Sequence, residues 1–194
     1  MATIGLDKLY YAPITEAPGT GEETYGTPVK LAGLIKVGIA VDVAEAKLFT
    51  DDKLDESIRE FTGGKFTLQV KDIGGEHAAV LTGATLDDNG VLISAGEDGG
   101  KPVALGFRAK KSNGKYRYFW IYKVKFSVPN TDLDTKGDNV KFQTPTIEGD
   151  IMARNKPALD DKHPWKAEVD EDAVGIGSGV ISSWYTTVYE PVEA

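Results

Sequence analysis

The side chains that could carry out catalysis are few in this chain. It has two histidines, His77 and His163, and no cysteine. The absence of cysteine excludes disulfides, thiolate metal sites and a cysteine nucleophile. With only two histidines, the chain also has few candidates for a histidine general base. We therefore interpret both histidines as partly exposed residues that each make a local hydrogen bond.

Two short motifs approach known catalytic or metal-binding patterns, and both fail. Residues 175–179 read Gly-Ile-Gly-Ser-Gly, which places Ser178 one position too late for the Gly-x-Ser-x-Gly nucleophile elbow. Residues 132–138 imitate the start of a calcium loop, but Lys136 stands at ligand position five and Gln143 at position twelve. The sequence therefore predicts a protein with no enzymatic activity, no metal and no cofactor.

One predicted strand carries an alternating row of aromatic side chains, Tyr116, Tyr118, Trp120 and Tyr122. Alternating aromatics on a strand are typical of a core face, but an exposed row would suit a sugar. A carbohydrate- or receptor-binding β-sandwich module is thus an open alternative, and it requires Trp120 to be exposed. A hydrolase with close carboxylate pairs on a β scaffold is a second alternative, which residue spacing alone does not exclude.

The aromatic row belongs to a predicted hairpin of residues 102–128. Asn113-Gly114 is typical of a two-residue type I′ turn, because both central residues of that turn have positive φ. In the resulting register Phe107 pairs with Trp120, and one shared core face follows, formed by Leu105, Phe107, Trp120 and Tyr122. Apolar residues also interrupt the other face. We therefore expect the hairpin to be covered on both sides, with another subunit as one possible cover.

Period-two alternation predicts further strands at residues 33–43, 65–72, 90–94 and, loosely, 140–153. In the first of these, the apolar residues at 35, 37, 39, 41 and 43 are expected to form one buried face. Helical spacing predicts short helices at 75–82, ending at Gly83, and at 180–188. Residues 51–61 have apolar residues at helical spacing between dense charges, so a helix and a long loop are both open.

Composition places the chain among globular proteins of one domain. It has 194 residues, of which 41% are hydrophobic and 27% charged, and a formal net charge of −8. That acidic balance lacks the basic footprint of a nucleic-acid-binding protein. The chain also lacks an apolar run of the roughly 18 residues that a membrane span needs. We expect a single domain over 1–194, with an N-terminal arm at about 1–28 and a long loop at about 51–63.

An ordered set of short stretches resembles a known family. The chain resembles the major tail proteins of long, non-contractile-tailed phages, which are the subunits of the tail tube. The resemblance spans most of the chain from residue 4 to about 149 and continues more loosely to Trp184. It rests on residues 4–12, 23–28, 48–52, 64–68, 106–108, 122–126 and 144–149. The chain departs from the family pattern at Phe49-Thr50, where Tyr-Ala would be expected.

The resemblance implies a mainly β fold, a β-sandwich with one or two short flanking helices. It also implies a structural virion protein that forms hexameric rings, which stack into a tube around the tape-measure protein. The tube would meet tail terminator and distal tail proteins, hold DNA only transiently in its lumen and have no membrane partner. The protein would be assembled in the host cytoplasm and reside in the virion tail.

Two surfaces are candidates for assembly on this interpretation. The strands at 33–49 and 65–72 are our candidates for the lumen wall. The sparse face of the first is formed by Lys36, Gly38, Ala40 and Asp42. The segment 51–63 and the N-terminal arm are our candidates for stacking one ring on the next. The stacking residues in the first of these are Asp51, Asp52, Lys53, Asp55 and Glu56.

Overall fold

The computed structural model describes residues 1–18, 21–31, 33–51, 53–129, 135 and 144–192. Within them the strands are β1 (Thr3–Glu16), β2 (Glu23–Tyr25), β3 (Val29–Lys30), β4 (Leu34–Thr50), β5 (Lys53–Val70), β6 (Thr85–Leu86), β7 (Leu92–Ile93), β8 (Val103–Lys111), β9 (Tyr116–Phe126), β10 (Thr146–Met152) and β11 (Lys166–Asp170). The helices are α1 (Gly75–Thr82) and α2 (Val180–Ser183). Asp52, residues 140–143 and the calcium-loop-like segment 132–138, apart from Thr135, lie outside the described residues.

The strands form one large antiparallel sheet and one small one. The large sheet has nine strands in the order β2-β1-β8-β9-β10-β5-β4, with β3 also paired to β1 and β11 to β9. Strands β6 and β7 pair with each other. The prediction of a mainly β fold with short helices is therefore confirmed. No helix among the described residues combines the length and the apolar character that crossing a membrane requires.

The large sheet curves around the first of two hydrophobic clusters. Three strand spacings separate β8 from β5, which would place their side chains about 14 Å apart in a flat sheet. The rings of Phe66 on β5 and Phe107 on β8 instead lie 6.4 Å apart, centroid to centroid. The same cluster contains Leu9 from β1 and Ile147 from β10. The two sides of this core are thus supplied by one bent sheet.

The second cluster covers the opposite side of the β8–β9 hairpin. Residues 180–190, here called the C-terminal strap, pack against it through Trp184 and Val188. The Trp120 Nε1–H donates to the Trp184 carbonyl oxygen at 3.0 Å, and the Tyr122 hydroxyl donates to the Tyr189 carbonyl oxygen at 3.0 Å. The hairpin is therefore covered on both sides, as expected. The cover is the chain's own strap and not another subunit.

From the turn to Leu105 the register of the β8–β9 hairpin differs by one residue from the predicted register, and beyond a register shift Val103 pairs with Val124 as predicted. Phe107 pairs with Phe119, and Gly106 pairs with Trp120. The turn is a three-residue loop in which only Gly114 has positive φ (83°), and the Gly114 N–H donates to the Lys111 carbonyl oxygen at 3.0 Å. This is the geometry of a type I turn followed by a one-residue bulge, which Asn-Gly also suits.

The corrected register separates the four predicted core residues. Leu105, Phe107, Trp120 and Tyr122 are all buried, with at most 3% exposure. However, Leu105 and Phe107 belong to the first cluster, and Trp120 and Tyr122 belong to the second. The prediction of their burial is confirmed, and the prediction that they share a face is wrong.

The chain termini are more ordered into the fold than the sequence indicates. The predicted N-terminal arm contains β1, which pairs with β8 and buries Leu9, Tyr11 and Ile14, so residues 3–16 of the arm belong to the large sheet. Helix α1 has the predicted bounds, and Gly83 ends it in the left-handed conformation (φ 83°). Helix α2 is shorter than predicted and ends at Ser183.

Buried ion pairs fasten the strap and β2 to the sheet. The Lys123 Nζ donates to Glu16 Oε1 at 3.1 Å and to the fully buried Glu23. Burial by itself lowers the pKa of Lys123, but the hydrogen bonds to Glu23 and Glu16 hold that pKa above its ordinary value. Arg154, 1% exposed, donates from Nη1 to Glu190 Oε2 at 2.7 Å. These pairs connect segments that are distant in sequence.

We expect Gly106→Ala to destabilise the protein by about 1–3 kcal/mol, because a Cβ there would overpack the core. That Cβ would lie 2.7 Å from Cη2 of Trp120, a rigid ring held on its other side by the strap. The measurement is the free energy of unfolding in urea. The control is Gly5→Ala on β1, where a Cβ meets no atom within 4 Å. Equal stabilities of the two variants would contradict this packing.

Candidate functional site

The most prominent feature of the surface is the hairpin formed by β4 and β5. The two strands pair from Leu34–Val70 to Thr50–Lys53. Every described residue from 44 to 60 is exposed, and we call residues 44–60 the distal hairpin. At 3.3–3.4 Å per residue, its strands extend roughly 23 Å beyond the body. An isolated two-stranded hairpin of this kind is only marginally stable in water.

The distal hairpin replaces the loop or helix expected over residues 51–63. Of the three register shifts between β4 and β5, two leave Asp55 and Thr62 as extra residues on β5. Each extra residue reverses the alternation of faces along the strand. With Asp55 as an extra residue, Leu54 and Ile58 lie on opposite faces of the hairpin, so the helix-like spacing of Leu54, Ile58 and Phe61 does not correspond to one apolar face. That spacing is why the sequence pattern favoured a helix or a loop.

Aromatic stacking anchors the hairpin where it leaves the body. The Phe61 ring stacks on the Trp165 ring with centroids 5.0 Å apart and planes inclined by 4°. Both side chains also pack against the first cluster. A Cβ at Gly64 would lie 2.5 Å from the Ala40 carbonyl oxygen, so glycine permits the close approach of the strands there. The hairpin is thereby held where it leaves the body, while no described part of the chain covers residues 44–60.

Large apolar side chains of the distal hairpin and its first body residue face solvent. Their exposed fractions are 52% for Leu48, 61% for Phe49, 52% for Leu54, 49% for Ile58 and 52% for Val43. The expected buried face of β4 is likewise wrong, since Ile39 and Val41 are exposed as well. Exposed apolar side chains that are grouped on one element are typical of an interaction surface, whereas single exposed apolar residues scattered over a protein are ordinary.

Charged side chains of the distal hairpin are mostly acidic. Glu45 pairs with Lys47 at 3.1 Å and with Arg59 at 3.0 Å. Among the predicted stacking residues, Asp51, Lys53, Asp55 and Glu56 lie at or near the hairpin end, and Asp52 is outside the described residues. No ion pair of 4.0 Å or less forms in the described part of the chain for Asp51, Asp55, Glu56 or Glu60. Their charges are thus available to a partner.

The four predicted lumen residues share one exposed face of the sheet. Lys36, Gly38, Ala40 and Asp42 pair with Gln69, Thr67, Lys65 and Gly63 on β5. The face continues onto β10, where Asp150 accepts a hydrogen bond from Lys65 Nζ at 2.5 Å, and onto β9, where Lys125 lies opposite Asp150. The hydrogen bond to Asp150 raises the pKa of Lys65. This face is polar and carries charges of both signs.

The outer edge of β4 is free of strand partners. Among the described strands β4 forms a hydrogen-bonded ladder only with β5, although β1 lies beside part of β4. The backbone N–H and C=O groups on the other edge of β4 are therefore not paired in a strand ladder. A long, exposed edge strand is a template for pairing with another chain. The edge borders the polar face on one side and continues into the distal hairpin.

Other residues singled out from the sequence lie elsewhere. In the aromatic row Tyr118, Trp120 and Tyr122 are buried and Tyr116 is half-buried, so the carbohydrate-binding alternative lacks the exposed row that it needs. His77 Nδ1 lies 3.2 Å from the Tyr11 hydroxyl, and His163 Nδ1 lies 3.1 Å from the Arg154 carbonyl oxygen. In the described ranges no three His, Asp or Glu side chains are grouped so as to hold a metal ion.

The chain was compared with protein-family models and with curated proteins. No protein-family model matches the chain. No curated protein matches it either.

We expect the backbone amides of the distal hairpin to exchange hydrogen much faster than those of Phe66–Val70. Few buried contacts hold the distal strands, whereas Phe66, Leu68 and Val70 are fully buried. Hydrogen exchange followed by mass spectrometry on the dilute protein measures the difference. Equal protection of the two halves of β5 would show that the distal hairpin is already packed in the free chain.

Proposed function

We propose that the protein is a major tail tube subunit of a long, non-contractile phage tail, polymerising as stacked hexameric rings. The observation that carries the proposal is the distal hairpin, which projects from a well-packed body with aliphatic and aromatic side chains in solvent. A monomeric protein rarely retains such an element without a partner. The repeated contacts of a polymer supply that partner in every copy.

The free edge of β4 supports the formation of rings. If β4 of one copy pairs along the sheet edge with a strand of the next, backbone hydrogen bonds join the sheets and the exposed edge disappears. Repeated around a closed ring, such a heterologous contact gives cyclic symmetry. The polar face that contains Lys36, Gly38, Ala40 and Asp42 would then line the lumen. A face with charges of both signs would not retain a polyanion such as DNA.

The distal hairpin supports the stacking of one ring on the next. The hairpin continues β4 and β5 beyond the body of its own subunit. It would therefore extend out of its own ring and contact a subunit of the next ring. The N-terminal arm has no such role in this proposal, because β1 is paired and buried in the sheet. Within the tail, the tube would enclose the tape-measure protein, contact the terminator and distal tail proteins, and later conduct DNA.

Assembly is tested with the purified full chain. We expect rings or tubes of uniform diameter in negative-stain electron microscopy, and a concentration-dependent rise of mass in analytical ultracentrifugation. Addition of a preassembled distal tail complex as an initiator provides the second condition. A chain that stays monomeric at high concentration and also with the initiator would refute the proposal.

We expect replacement of residues 44–60 by Asn-Gly to leave a folded protein that forms no long tubes. Val43 and Phe61 lie directly opposite each other, so a two-residue turn can join them without disturbing the Phe61–Trp165 stack. Near-ultraviolet circular dichroism and thermal unfolding verify the fold of the variant. The matched control, Phe49→Ala with Leu54→Ala, keeps the hairpin but removes its apolar end and should shorten the tubes. Tubes of normal length from the shortened chain would contradict the stacking role.

A further inference from the structure

The two ends of the β4–β5 hairpin differ in charge. The distal hairpin contains six acidic and three basic residues in the sequence. Two of the basic residues, Lys47 and Arg59, already bind Glu45. The four carboxylates of Asp51, Asp55, Glu56 and Glu60 form no ion pair in the described part of the chain. The distal hairpin therefore combines exposed apolar side chains with an unneutralised negative charge.

The opposite end, residues 29–36 and 69–73, is here called the hairpin base. It contains Lys30, Lys36 and Lys71, and one acidic residue, Asp72. The three lysines are exposed, and none of them lies within 4.0 Å of a carboxylate in the described residues. The Asp72 carboxylate accepts a hydrogen bond from the Ile73 N–H at 2.8 Å. Exposed Val29 (39%) and Ile35 (47%) supply apolar surface at the same end.

We propose that the distal hairpin of one copy docks on the hairpin base of a second copy. The proposal rests on the tube function above and names the partner of the stacking surface. Acidic and apolar side chains at one end meet basic and apolar side chains at the other. The two ends lie about 50 Å apart along β4, so a chain cannot satisfy the contact by itself. A contact between two different surfaces repeats head to tail, as stacking requires.

Charge also discriminates against the other contacts that the distal hairpin could make. A contact between two distal hairpins would oppose their unpaired carboxylates. The exposed apolar run Val91, Leu92 and Ile93 on the β6–β7 hairpin is the competing apolar surface. It lies between Asp87-Asp88 and Glu97-Asp98 in the sequence, so it would also repel the acidic distal hairpin. The hairpin base is the end with apolar surface and the opposite charge.

The contact is tested by cross-linking, for which a chain without cysteine is well suited. A Leu54→Cys chain is mixed with a differently tagged Ile35→Cys chain and treated with a short bis-maleimide. We expect the heterodimer to exceed the matched control, Leu54→Cys with Val91→Cys, by at least about fivefold, and 1 M salt to reduce the excess, because the Debye length is then only about 3 Å. A heterodimer yield no higher than the control overturns the proposal.

Charge reversal gives a second, independent test in the tube assay. We expect Asp55→Lys with Glu56→Lys to stop stacking, and Lys30→Glu with Lys71→Glu to stop it as well. The chain with all four substitutions should recover tubes, because the charges at every stacking contact are again opposite. The control Asp88→Lys with Glu97→Lys should assemble normally. If the fourfold chain stays defective while its unfolding temperature is unchanged, the docking assignment is wrong.

The two proposals fail in different ways. If the wild-type chain forms tubes but residues 54 and 35 do not cross-link, the tube function is supported and the hairpin base is not the partner of the distal hairpin. A strong, salt-sensitive 54–35 cross-link without rings or tubes, even with an initiator, would establish the head-to-tail contact and refute the tail tube.

Discussion

The contact between Trp120 and Gly106 is the constraint on which the rest of the body depends. Because the indole ring occupies the space over a residue without a Cβ, β8 and β9 can bring a large aromatic side chain into the middle of the sheet. The face that carries Trp120 then has to be covered, and the strap covers it through Trp184 and Val188. The other face closes around Phe66 and Phe107. Burial on both faces makes the centre of the sheet independent of any partner.

Buried charge completes this cover. Arg154 lies with its guanidinium 4.6 Å from the Tyr122 ring and binds Glu190 of the strap. Lys123 binds Glu23 and Glu16, and Glu23 also accepts a hydrogen bond from the Asn155 N–H at 2.7 Å. Loss of one partner would leave an uncompensated buried charge, which costs about 3–5 kcal/mol. Such pairs favour one arrangement of the strap, of β2 and of the segment after β10 over the alternatives.

The body and the distal hairpin therefore have opposite energetic characters. In the body, apolar surface is removed from water within one chain. In the distal hairpin, backbone hydrogen bonds are satisfied across two strands, but the apolar side chains remain in water, and no described part of the chain packs on them. A hairpin of this kind gains most from association, since binding removes its apolar surface from water and orders a marginal element at once. The free edge of β4 would add a second favourable contribution to association, because its backbone groups could form hydrogen bonds with a strand of another copy.

The sequence by itself determined the mainly β class, helix α1 with its Gly83 end, and the burial of Leu105, Phe107, Trp120 and Tyr122. These features depend on the local periodicity of apolar residues and on residue size, and both can be read from residues that are adjacent in the sequence. Only the tertiary structure decided which core each of the four residues joins, because the three-residue turn at Gly114 shifts the pairing by one residue and so changes faces. It also decided that residues 53–60 are a strand, since the bulge at Asp55 interrupts the alternation of faces within this segment. The exposure of the apolar face of β4 could not be predicted from the sequence either. Alternation indicates that a strand has an apolar face, but it does not show whether another part of the chain packs against that face.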